Sequence, residues 1–198
     1  ADEKYSGLGI FSRNVYLKHQ ADENNQDVGN NVFVKTVFET KLNEAIEKTA
    51  KTLGYDIAVQ GELIGEGIQD NLHGIQGYQL HVFDIFNITK QKYLLPDERK
   101  EVFKLLKENG FIDFHVDSHP YLCGVFSLRG LWENIMSDKS EDPNELHPQY
   151  ISEIREIILS YTEYSLPSGN PNEGLVFKSH SRDFSFKAVS NSYLLIKG

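Results

Sequence analysis

The sequence predicts an α+β fold with largely antiparallel sheets, because strand-like and helix-like segments mix without the regular βαβ alternation that builds a parallel sheet. Apolar residues recur at helical spacing in 34–53 and 96–109, whereas 56–64 is β-rich, 78–88 is dense in β-branched and aromatic residues, and 175–177 and 184–189 look like paired strands. At 198 residues the chain can bury one substantial core, so one domain over 1–198 is expected.

Each element follows from local chemistry. Residues 9–13 read as a short strand, and the Asn-, Asp- and Gly-containing stretch 21–31 reads as a loop. Positions 34, 37, 38, 42, 45, 46, 50 and 53 are apolar, which predicts one amphipathic helix with Gly54 just past its end. The β-rich segments 56–64 and 78–88 are joined by a polar, glycine-containing connection, 65–77. Pro96 and Asp97 suit the start of a helix that Gly110 stops. An acidic loop, 137–148, leads into a helix around 151–161, and the Pro- and Gly-containing stretch 166–172 breaks that pattern. Residues 175–177 and 184–189 then predict paired strands about a polar turn at 180–183.

Composition narrows the function classes. A hydrophobic fraction of 39% with 12% aromatics argues for a folded chain. No stretch approaches the length of a membrane span, and the start, Ala-Asp-Glu-Lys, lacks the basic and apolar regions of a secretory signal. Cys123 has no second cysteine to pair with, which favours a reducing compartment. The expectation is a cytoplasmic protein, or a viral or phage protein acting in the host cytoplasm. A net charge of −9 disfavours a broad, non-specific nucleic-acid platform, so phosphate chemistry requires a local basic cluster. Residues 173–198 supply one, with Lys178, Arg182, Lys187 and Lys197 against Glu173 and Asp183.

Three separated segments place charged side chains on expected strands. Glu62 follows Gln60 by two residues, so both lie on one face. The same alternation puts His81, Phe83 and Ile85 on one face and Asp84 on the other. Lys178 and Lys187 fall on two adjacent β segments. Taken singly, Glu62 reads as a solvated carboxylate, Phe83 as core filling, and each lysine as an ordinary surface cation.

Their order along the chain resembles the covalent nucleotidyltransferase superfamily of ligases and capping enzymes. Ser12-Arg13-Asn14 is similar to motif Ia, Gln60-Gly61-Glu62-Leu63 to motif III, and Val82-Phe83-Asp84-Ile85 to motif IIIa. Glu173-Gly174-Leu175-Val176-Phe177-Lys178 is similar to motif IV and Phe186-Lys187-Ala188-Val189 to motif V. Within the superfamily, Gly65-Glu66-Gly67-Ile68-Gln69-Asp70-Asn71 and the ending Ser190-Asn191-Ser192-Tyr193-Leu194-Leu195 resemble ATP-dependent RNA ligases. The tryptophan-containing motif V and the following OB domain usual in DNA ligases are not seen in the sequence. A stop just after motif V is similar to the Deinococcus-type branch, in which an accessory OB-like domain precedes the catalytic domain.

The resemblance implies an adenylyltransferase fold and joining of RNA 3′-OH and 5′-phosphate ends, in a nicked duplex or in single strands, through lysyl-AMP and an adenylylated 5′ end. It implies ATP as the source of AMP, with Mg²⁺ or Mn²⁺. Lys178, Lys187 and Glu62 are then the expected catalytic residues. Arg13 and Glu62 would hold the ribose region, Phe83 would stack on adenine, Lys178 and Lys187 would bind the α-phosphate region, and Glu173 and Glu62 would face the metal. Asp84 is left between site and structure. Motif I is the departure: Lys4-Tyr5-Ser6-Gly7 satisfies Lys-x-x-Gly, but only eight positions separate Lys4 from Ser12. Two five-residue strands and a tight turn need roughly a dozen residues. The nucleophile is therefore expected upstream of residue 1, with residues 9–14 as the second strand of its hairpin. The alternatives are a DNA ligase or capping-type nucleotidyltransferase, or a nucleotide- or RNA-binding module without catalysis.

Overall fold

A computed structural model describes residues 7–13, 15–17, 31–112 and 148–197, with side chains from 151 in the last segment. The chain forms two compact units, Ala1–Val116 and Asp117–Gly198. The expected loops at 21–31 and 137–148 fall almost wholly outside the described residues, as does Lys4.

In the first unit, strands β1 (Ile10–Ser12) and β2 (Val15–Leu17) form an antiparallel hairpin in which Ser12 faces Val15. The predicted helix over 34–53 is two helices, α1 (Val32–Glu39) and α2 (Leu42–Leu53). The apolar spacing runs in phase through both, but Lys41 adopts a left-handed backbone (φ 57°) at the junction. The Thr40 hydroxyl donates to the Thr36 carbonyl at 2.8 Å, closing α1. At the other end of α1 the Asn31 side chain accepts the Phe33 N–H at 3.0 Å, a side-chain N-cap. Gly54 ends α2 as predicted.

Strands β3 (Ile57–Gly65), β4 (Tyr78–Asn87) and β5 (Lys92–Tyr93) form an antiparallel sheet in that order. Helix α3 (Pro96–Glu108) begins at its proline, with the Glu98 carboxylate accepting the Leu95 N–H at 2.9 Å. Leu42 and Ala45 of α2, Ile57 of β3, Leu80, Val82 and Ile85 of β4, and Val102 and Leu106 of α3 meet in one apolar core with Leu94 and Phe111. Burial of this kind supplies most of the drive to fold, roughly 25 cal/mol per Å² of apolar surface. Two polar ties reinforce it: Asn109 donates to the buried Thr49 hydroxyl at 3.0 Å, and Ile112 N–H donates to the Thr40 carbonyl at 2.8 Å.

Strict alternation fails in β4. Val82 and Ile85 are three residues apart, yet both point into that core, and Ile85 is 0% exposed. The pairing explains it: Gly61 faces Val82 and Gln60 faces Asp84, so Phe83 is an extra residue in a β-bulge. The expectation that Phe83 and Ile85 share a face is therefore corrected: Ile85 turns inward, and Phe83 is left 50% exposed. Gly61 permits the close approach at this point, because a Cβ there would lie 2.9 Å from the His81 carbonyl oxygen.

The second unit holds α4 (Pro148–Ser160), the antiparallel hairpin β6 (Gly174–Lys178) and β7 (Ser185–Val189), and α5 (Asn191–Lys197). Helix α5 was not anticipated from the sequence. Its first turn is capped by the Ser190 hydroxyl, which accepts the Tyr193 N–H at 3.2 Å. Gly174 (φ 153°) is needed where β6 begins, since a Cβ would meet the Ala188 carbonyl oxygen at 2.2 Å. The α+β class with antiparallel sheets is thus as the sequence predicts.

Candidate functional site

The predicted site residues divide between the two units. In the first, Gln60 and Glu62 lie on the face of β3 opposite Ile57 and Leu63, which are buried. Glu62 is exposed, and its cross-strand partner is His81. The His81 Nε2 is hydrogen-bonded to Gln79 Oε1 at 3.1 Å, and the His73 ring lies 6.2 Å away between centroids. Gln60 exchanges a hydrogen bond with the Tyr93 hydroxyl across the sheet. Phe83 lies two residues beyond His81 on β4, in the bulge between the Val82 and Asp84 pairings. Glu62 and Phe83 are thus carried on neighbouring strands of one sheet, anchored by the core beneath. Arg13 lies on a separate element, the β1–β2 hairpin, with a left-handed backbone (φ 47°) at the turn.

Asp84, left unassigned by the sequence, is buried at 3% exposure. Its Oδ1 accepts the Ile85 N–H at 3.0 Å, and Arg99 Nη1 lies 4.0 Å from it. The same guanidinium donates to the Phe83 carbonyl at 3.2 Å. Sequence reasoning missed Arg99, for nothing in the helical pattern of 96–109 distinguishes it from the other charged residues of α3.

In the second unit the β6–β7 register sets Lys178 opposite Ser185 and Val176 opposite Lys187. Directly opposed residues share a face, so Lys178 and Lys187 lie diagonally on one side of the hairpin. On the other side Phe177 and Phe186 stack, with centroids 5.0 Å apart and planes within 9°. This aromatic pair fixes which face the lysines present. Lys187 is ion-paired with Glu173 at the root of β6. The structure therefore brings together three of the predicted residues, Glu173, Lys178 and Lys187, on one two-stranded scaffold.

Glu163 is a residue that the sequence did not flag. Its carboxylate accepts the Ser192 hydroxyl at 2.7 Å, the Ser190 hydroxyl at 3.1 Å and the N–H groups of Asn191 and Ser192. The Ser192 hydrogen bond, followed by those from the backbone and Ser190, holds this carboxyl below its ordinary range. The clamp fastens the chain immediately after β7, the strand that carries Lys187. A Ser-Asn-Ser run after a strand is a helix-start signal, and it could have revealed the cap though not its carboxylate partner.

A divalent metal would find oxygen donors in each unit, Glu62 in one and Glu173 in the other. Among the described residues no three His, Cys, Asp or Glu side chains group to hold a metal. Mg²⁺ does not need such a cage, because it commonly keeps several waters and takes one or two carboxylates plus phosphate oxygens. Either carboxylate, taken by itself, suits that mode. Among the described residues no helix is long and apolar enough to cross a membrane.

A family model described as RNA ligase matches residues 2–189. The chain is similar to solved structures of the Naegleria gruberi RNA ligase. The one with PPi has a TM-score of 0.65 and 30% identity over 97% of this chain and 46% of that one. Variants solved with AMP and Mn and with ATP and Mn both give a TM-score of 0.64 at 30% identity, covering 97% and 96% of this chain and 46% of theirs. The chain thus spans less than half the length of these relatives. No curated protein matches it. With the match running through both units and all five motif segments, the chain belongs to the RNA ligase family.

Proposed function

We propose that this chain is the nucleotidyltransferase core of an ATP-dependent RNA ligase that joins 3′-OH and 5′-phosphate ends. The observation that carries the reading is the shared face of the β6–β7 hairpin, which presents Lys178 and Lys187, the latter ion-paired with Glu173, in a member of the RNA ligase family. The similar Naegleria ligase structures hold ATP, AMP or pyrophosphate, which supports adenylyl transfer.

In the reaction a lysine nitrogen attacks the α-phosphorus of ATP, a P–N bond forms, and pyrophosphate leaves. AMP then passes from the lysine to the RNA 5′-phosphate, and the 3′-hydroxyl displaces it. The nucleophilic lysine lies outside the described residues. Transfers of this type depend on positioning and charge neutralisation more than on acid–base work. Lys178 and Lys187 neutralise the charge that grows on the α-phosphate oxygens, a task suited to fixed cations in a desolvated site. Phe83 stacks on adenine, and Arg13 and Glu62 hold the ribose region. Mg²⁺ or Mn²⁺, when bound, would add neutralisation of phosphate charge, and Glu62 and Glu173 are the carboxylates that would face it. RNA ends are the partners, and an OB-like accessory domain belongs to the full-length protein. The cytoplasm is its working compartment.

The test is transfer of labelled AMP from ATP onto the full-length protein. Lys187→Ala is expected to abolish the adduct while the fold survives, since removing such a stabilising group costs about 10²–10³ in rate. A full-length protein that binds nucleotide yet forms no adduct would overturn the enzyme reading.

A further inference from the structure

We propose that Arg99 on α3 is a positioning residue for nucleotide binding, acting through the β-bulge that presents the Phe83 ring. The inference rests on the reading that Phe83 stacks on adenine, and it concerns what holds that ring in place.

A bulged residue gives up its regular place in the strand ladder, so its backbone needs another anchor. Arg99 supplies one, donating to the Phe83 carbonyl at 3.2 Å. The same guanidinium sits 4.0 Å from the Asp84 carboxylate, which is buried in the next position of the strand. A buried carboxylate requires a cation and hydrogen-bond donors, and Asp84 has Arg99 and the Ile85 N–H. The planar fork of arginine can address a carbonyl and a carboxylate at once, which a lysine ammonium does poorly.

The stem of Arg99 is itself well founded. Its N–H closes the first turn of α3 on the Leu95 carbonyl at 2.8 Å, and the next turns bury Val102 and Leu106 in the core. On the opposite strand Gly61 leaves room for the bend. A chain of contacts therefore runs from the core through α3 to the ring: Leu106 and Val102 fix the helix, the helix fixes Arg99, and Arg99 with Asp84 fixes the bulge. Removing the guanidinium takes away the donor to the Phe83 carbonyl and the cation beside Asp84, so the ring loses part of what sets its orientation.

The experiment measures KM for ATP and kcat of self-adenylylation in the full-length protein, together with thermal unfolding. Phe83→Ala is expected to raise KM roughly 5- to 150-fold, the loss of one base stack. Arg99→Met should raise KM for ATP several-fold with a smaller change in kcat, and Arg99→Lys should fall between it and the wild type. Because Arg99 acts through the ring, the Phe83→Ala/Arg99→Met double variant should be no worse than Phe83→Ala alone. If both Arg99 variants keep the wild-type KM while Phe83→Ala does not, Arg99 has no positioning role and the base stack stands. Multiplying effects in the double variant overturn it equally. An unchanged KM in Phe83→Ala overturns the base stack and this inference with it. Should Arg99→Met unfold at the assay temperature, Arg99→Lys decides: a wild-type KM there is a negative result.

Discussion

Lys187 and Glu173 are ion-paired across the root of the β6–β7 hairpin, although each side chain remains 43% exposed. A pair this open adds little to stability, typically about 0–1 kcal/mol, since solvent and salt screen it and two side chains must be ordered. Its worth is positional: Glu173 holds the ammonium over the face that Lys178 shares.

Glu173→Gln should therefore separate folding from chemistry. Melting temperature is expected to stay within a few degrees of the wild type, while the rate of AMP transfer falls by about 10²-fold, as for other preorganised charged groups. The Mg²⁺ concentration needed for half-maximal adduct formation should rise as well. Thermal melts alongside a Mg²⁺ titration of labelled-AMP transfer check both. A large melting shift with wild-type transfer would make the pair structural.

Gly174→Ala should damage the fold of the hairpin. The backbone there has φ 153°, and a methyl group would press on the Ala188 carbonyl at 2.2 Å. Strain of that type costs about 1–3 kcal/mol, and here the obstacle is backbone that cannot swing aside. Denaturant unfolding followed by circular dichroism should show the midpoint falling with an unchanged slope.

Glu163 should make stability depend on acid pH. Its folded-state pKa is lowered from the ordinary 4.5, chiefly by the Ser192 hydroxyl. The ionised form is then favoured by folding, so the contribution is present above the unfolded value and disappears as pH falls through the lowered folded one. The group is exposed, so the effect is small. Wild type should melt above Glu163→Gln at pH 7, and the two curves should converge as pH falls below the ordinary carboxylate range. A gap that is unchanged by acid would show that the carboxylate charge is not what fastens α5.

Much of this architecture is readable in the residues. The helix over 96–108 announces itself through Pro96, its apolar spacing and Gly110, and the β6–β7 pair through alternation about a polar turn. What escaped detection has physical causes. The break between α1 and α2 is invisible to periodicity because the apolar phase carries across Thr40 and Lys41. The faces of β4 were misread because alternation assumes a regular ladder, and one extra residue reverses every side chain beyond it. Among the candidate site residues, Glu173, Lys178 and Lys187 share a hairpin as their spacing suggests. Arg99 and Glu163 escaped because each acts on backbone groups far away in sequence, and such contacts leave no local pattern.

The bulge at Phe83 also bears on how this strand tolerates changes in length. Shortening a regular strand by one residue throws its downstream half out of phase with its neighbours, which buries polar groups and exposes apolar ones. In β4 the count is already one in excess, with Val82 and Asp84 facing the adjacent residues Gly61 and Gln60. Deleting Phe83 alone would restore one-to-one pairing and leave Val82 and Ile85 both facing inward. The strand is thus expected to absorb a single-codon loss at this position while retaining its core, whereas the same loss at Leu80 or Ile85 should unfold it. The ring proposed to stack on adenine would vanish and the scaffold would remain, so under that proposal length variation at this one point separates nucleotide recognition from folding.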